Sequence, residues 1–154
     1  MAWLNPKTNW EVKPLVDGMY QGDWFNYSDY NRIVSNLQHL HTLGQNILGI
    51  VFSISTMSPA VLNAFPKAVA FNTVEDSLYA LTQNIYEPPT YPGKSTWLGN
   101  SAAPTYADLN RIEGACDAIY AYLYSLIVEQ AFVPFGSDEL LTSDGETFLV
   151  IEEV

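Results

Sequence analysis

Apolar residues recur at alternating steps of three and four along two long stretches. One runs Tyr30, Ile33, Leu37, Leu40, Gly44, Ile47; the other runs Leu109, Ile112, Cys116, Ile119, Leu123, Leu126. That stepping is the stripe of a helix packed against other helices. A shorter stripe, Val74, Leu78, Leu81, Ile85, predicts a third helix, opened by the run 71–75 and closed at Glu87-Pro88-Pro89. The first helix is expected to start at Asn26. It either stops near Leu43 with Gly44 as its end, or carries Gly44 inside and ends at Gly49. The last is expected from Asp108 to Glu129 or Ala131.

Between these stripes the pattern changes. Residues 50–54 are β-branched enough for a short strand, and a buried helix end fits them nearly as well. Ser58-Pro59 supplies an N-cap and a first-turn proline for a short helix over 58–65, stopped by Pro66. A Pro, Gly and Ser-rich loop over 88–104 carries Tyr91 and Trp97; a loop of this length is functional or packed onto something. Residues 1–24 hold Trp3, Trp10, Tyr20 and Trp24 with no helical period. They read as an extended arm with aromatic anchors, laid on a neighbouring subunit or folded as a strand onto its own core. In the tail, Asp144-Gly145 between runs 140–143 and 146–151 predicts a β-hairpin, which needs a sheet edge to be stable. The expected fold is mainly α. A helical core of about three main helices over 25–132 follows the arm of 1–24 and precedes a β-hairpin tail over 133–154.

A phrase used twice organises the core. Tyr27-Ser28-Asp29-Tyr30-Asn31-Arg32-Ile33 returns 79 positions later as Tyr106-Ala107-Asp108-Leu109-Asn110-Arg111-Ile112. With the stripes that follow, it makes an internal repeat of 27–48 and 106–127. Asn26 and Thr105 stand as N-caps with Asp29 and Asp108 three residues on, a capping box with Asp in the usual Glu place. Capping accounts for both aspartates without catalysis. Arg32 and Arg111 instead face the positive end of a helix dipole. They need a compensating partner: Asp29 and Asp108, carbonyls of the arm, or a carboxylate of another subunit. A structural clamp is the favoured role for them.

Composition narrows the function classes. Hydrophobic residues at 48% and aromatics at 14% exclude a disordered chain. A net charge of −11 with six Lys and Arg disfavours nucleic acid and anionic membranes as partners. No signal peptide or spanning segment is read at the sequence level, so synthesis in the cytoplasm is expected. His39 and His41 point to different helix faces and cannot share a metal through that helix. The lone Cys116 lies on the apolar stripe as a core thiol. No nucleophile elbow or phosphate-cradling loop is present, so the expectation is no enzyme, no cofactor and no metal site. The aromatics Trp3, Trp10, Trp24, Tyr91 and Trp97 remain as contacts for a subunit interface or for a sugar.

The opening Trp3-Leu4-Asn5-Pro6-Lys7-Thr8-Asn9-Trp10, the run 25–33 and the run 104–113 together resemble a family of small virion proteins. These belong to tailed phages and prophages of Gram-positive bacteria. The resemblance implies a non-enzymatic tail, baseplate or fibre component located in the virion. Its partners would be further copies of itself and other virion proteins. The alternative it leaves open is a receptor-binding module for a host cell-surface glycan.

Overall fold

Asn26 turns the chain into its first helix. Its Oδ1 accepts the backbone N–H of Ser28 at 2.8 Å and of Asp29 at 3.4 Å, while Asp29 Oδ2 accepts the Asn26 N–H at 3.0 Å. The box satisfies donors that every helix start leaves without intrahelical partners. In the computed structural model, which describes residues 2–62, 66–135, 139–142 and 147–150, helix α1 spans Tyr27–Leu48 and ends at Gly49 with φ 63°. Gly44 lies inside α1 and does not stop it. A Cβ at Gly44 would collide with Ile85, so the missing side chain lets α1 close on the end of the second helix.

Helix α2 spans Ala68–Asn84 and α3 spans Tyr106–Ala131. The chain is mainly helical, with these three helices among the described residues. The stripes read from the sequence are the faces they share: Ile33, Leu37, Leu40, Leu78, Leu81, Ile112, Ile119 and Leu123 are all fully buried. Cys116 is buried with them, and that burial pushes its thiol pKa far up. Strands β1 (Leu15–Val16) and β2 (Met19–Tyr20) form a two-stranded antiparallel sheet. Its turn, Asp17 at φ 50° and Gly18 at φ 75°, uses the left-handed conformations that suit a tight hairpin. After α3, β3 (Phe132–Phe135), β4 (Glu139–Thr142) and β5 (Thr147–Val150) pair antiparallel in that order. The Asp144-Gly145 turn expected there lies outside the described residues.

Three expectations need correction. The run 71–75 does not open α2, because the helix begins at Ala68 and Phe71 is already in its first turn. Residues 58–61 are not helical, and 63–65 lie outside the described residues. Both backbone groups of Ala60 are bonded to the Asn31 side chain, so its N–H is not available to a helical ladder. Residues 50–54 form neither a strand nor a helix end. The Phe52 carbonyl accepts His41 Nε2 at 2.8 Å and Gln45 Nε2 at 3.0 Å, which ties the segment back onto α1 instead of into a ladder.

Candidate functional site

One register runs through all three helices. Five residues after the capping positions Asn26, Lys67 and Thr105 stand Asn31, Asn72 and Asn110. Each amide grips the backbone of one non-helical residue through both its donor and its acceptor. Asn31 holds Ala60, with N–H to Oδ1 at 2.7 Å and Nδ2 to carbonyl at 2.9 Å. Asn72 holds Trp97 with the same two distances. Asn110 holds Trp10, again at 2.7 and 2.9 Å. A fourth asparagine, Asn36, treats Leu4 in the same way. An amide offers the donor and acceptor that a β-strand neighbour would offer. These segments thereby satisfy backbone groups that partial burial takes from water.

At Asn31 and Asn110 the next residue is an arginine, which makes the clamp ionic. Arg32 Nε and Nη2 meet Glu113 at 2.9 and 2.8 Å, and its Nη1 meets Asp29 at 2.8 Å. Arg111 forks onto Glu75, and adds Gly93 O at 3.2 Å and Ser95 Oγ at 3.3 Å. Glu75 and Glu113 are 0% and 1% exposed. The expected partners are thus corrected in part. Asp29 does pair with Arg32, and Asp108 stands 3.9 Å from Arg111. The main counter-charges, however, are glutamates of neighbouring helices in the same chain. The hydrogen bonds that Arg32 donates to Glu113 hold its pKa above the ordinary value. For Arg111, burial works the other way, but bonds and charge from Glu75 prevail.

The two glutamates also bind the irregular segments. Glu113 accepts Lys7 N–H at 2.7 Å and Trp10 Nε1–H at 2.8 Å; Glu75 accepts Ser95 N–H at 3.2 Å. Each Glu113 oxygen therefore receives two donors, which fills the lone pairs of a carboxylate. Such a group holds position and has no free acceptor with which to take a substrate proton. The same pattern does not close at the third junction. The residues that follow the register there are Thr73 on α2 and Val34 on α1, both uncharged.

The five aromatics are not gathered on one face. Trp10 and Tyr91 are buried, and Trp3 stacks on Tyr120 at 4.0 Å. Burial, with the charge of Glu75 nearby, pushes the Tyr91 phenol up to about 12. Trp97 lines a hollow of about 420 Å³ with Lys67, Phe71 and Pro104. Trp24 is the exposed one, beside Tyr20 at 5.1 Å.

The sequence reading misses Glu75, Glu113 and Asn72. The available signal is the pattern Asn-x-Ile/Val, in Asn31-Arg32-Ile33, Asn72-Thr73-Val74 and Asn110-Arg111-Ile112, with a glutamate at the fourth place in the last two. It also misses the exposed apolar surface of residues 12–24. Val12, Leu15, Met19 and Trp24 are 74%, 67%, 66% and 72% exposed. Among the described residues no group of three or more His, Cys, Asp or Glu could hold a metal ion, and no helix is long and apolar enough to cross a membrane. In comparisons with known proteins, no family model, no curated protein and no solved structure matches the chain.

Proposed function

We propose that this protein is a non-enzymatic structural component of a phage particle, in its tail, baseplate or fibre, and that it acts through contacts between subunits. The observation that carries this reading is the exposed apolar surface of residues 12–24, set on a body whose buried charged groups are engaged in holding its own segments. Large apolar residues exposed along one short segment mark a surface that another protein covers. The clamps supply the complementary property, a rigid hub: two buried ion pairs and four bidentate amides fix the arm and loops to the helices. The resemblance of the opening residues and of the doubled helix start to small phage virion proteins agrees with that division of labour.

Quantitative mass spectrometry of phage particles, produced by cells that carry the gene and normalised to the major capsid protein, tests the reading. A fixed low copy number, compatible with a symmetric ring or fibre, is expected. Absence of the chain from intact particles overturns it.

A further inference from the structure

Of the three helices among the described residues, two bring a carboxylate to their own start. Asp29 and Asp108 close the capping boxes of α1 and α3. α2 has no acidic residue in its first turn and no side chain bonded to its cap; Lys67 stands there instead. The Lys67 carbonyl accepts the N–H of Ala70 at 2.9 Å and of Phe71 at 3.2 Å. The N–H groups of Ala68 and Val69 find no acceptor among the described residues. A helix of 17 residues thus keeps open donors at the positive end of its dipole.

Two further observations bear on that end. Six residues of the chain are Lys or Arg. Five of them, Lys7, Lys13, Arg32, Lys94 and Arg111, have a carboxylate partner within the chain. Lys67 has none among the described residues, although the chain holds 17 Asp and Glu. A hollow of about 340 Å³ opens beside it, lined also by Tyr30, Met57 and Val69. Tyr30 is 2% exposed, and its hydroxyl has no hydrogen-bond partner among the described residues. Nor is that hydroxyl sealed off: the buried side-chain N and O atoms without a partner belong to Gln38, Tyr91 and Trp97. The oxygen is therefore the point at which Tyr30 reaches the hollow. Burial raises its pKa above the ordinary phenol value, so at neutral pH the group stays a donor.

We propose that this hollow binds a small organic acid, its carboxylate held by the open N–H groups of α2, Lys67 and the Tyr30 hydroxyl. Its short apolar body lies against Met57, which is itself buried. The volume suits such a ligand, since small-molecule sites run from ~300 Å³ upward. A carboxylate fits better than a phosphate because it brings one charge to one cation. A second negative charge is disfavoured by the −11 that the chain already carries. The ligand supplies to α2 what Asp29 and Asp108 supply to the other two starts, a carboxylate on unpaired helix donors.

The site is independent of the assembly reading, and its test needs only the purified full-length chain. Sodium acetate is titrated in at constant ionic strength, held with sodium chloride, and followed by backbone amide NMR. Saturable shifts at Ala68 and Val69 are expected, with a dissociation constant on the order of millimolar. Butyrate, with two more methylenes to lay against Met57, should bind about tenfold more tightly. Tyr30→Phe, which keeps the ring on Phe71, and Lys67→Gln, on an exposed side chain, should each weaken acetate about tenfold. Lys67→Asp, which places a carboxylate of its own at the cap, should lose the response. Shifts that do not saturate, or that fall away from Ala68 and Val69, overturn the site. So does wild-type affinity in Lys67→Gln, which leaves the core untouched and decides the matter even if Tyr30→Phe folds poorly. Phosphate binding more tightly than acetate overturns the carboxylate, and butyrate binding no more tightly overturns the seat on Met57.

Discussion

Arg32 shows what one side chain carries in this fold. It stacks its guanidinium within 5.7 Å of the Trp10 ring, forks onto Glu113 and reaches Asp29. Replacing it with Met removes the only cation, among the described residues, on a glutamate that is 1% exposed. Breaking a buried pair from one side costs about 3–5 kcal/mol, most of it the stranded charge. Urea unfolding of Arg32→Met should show that loss, and Arg32→Met with Glu113→Gln should recover part of it. A single variant within 1 kcal/mol of wild type, on the same scale of magnitudes, would mean that Glu113 is satisfied by Lys7 and Trp10 alone. The choice of Glu113 as partner is not legible in the sequence. It lies 81 positions from Arg32, and only the way α1 crosses α3 brings them together. What spacing does reveal is the local pair, Asp29 with Arg32 at i and i+3.

At the scale of elements, helix starts separate what can be read from what cannot. α1 and α3 announce themselves because Asn26 and Thr105 pair with Asp29 and Asp108 in capping boxes. α2 has Lys67 at the same place, with no side-chain hydrogen bond to the helix and a positive charge at the positive end of the dipole. Its start is hidden, and Phe71-Asn72 misleads because Asn72 matches Asn31 and Asn110, not the cap Asn26. A substitution follows from that defect. Lys67→Asp should stabilise the protein by about 0.5–2 kcal/mol, raising the thermal midpoint by a few degrees. An unchanged or lower midpoint would show that Lys67 is held by something other than its place in the helix. The β1–β2 turn is a second instructive miss. Asp17-Gly18 is the same dipeptide that predicts a hairpin at Asp144-Gly145, but strands of two residues leave no alternating run to flank it.

For the whole molecule, the contacts that seat the arm on α3 span far more of the chain than those that seat the loops. Lys7 and Trp10 reach Glu113 across 106 and 103 positions, whereas Asn31 to Ala60 and Asn72 to Trp97 span 29 and 25. Bringing distant ends together costs more chain entropy, and contacts of that kind form late. Pulse-labelling hydrogen exchange during refolding should therefore protect the amides of α2 and its loop before those of Leu4, Lys7 and Trp10. Early protection of the arm would show that it nucleates the fold instead of completing it.

The same distance has a meaning inside the cell. A ribosome makes Trp10 before it makes Glu113, and at ~5–20 residues per second that interval is roughly 5–20 s. Throughout it the nascent arm has no seat of its own chain to occupy. The earliest residues translated are the last to settle, so Trp3 and Trp10 stay open to solvent until α3 has been made.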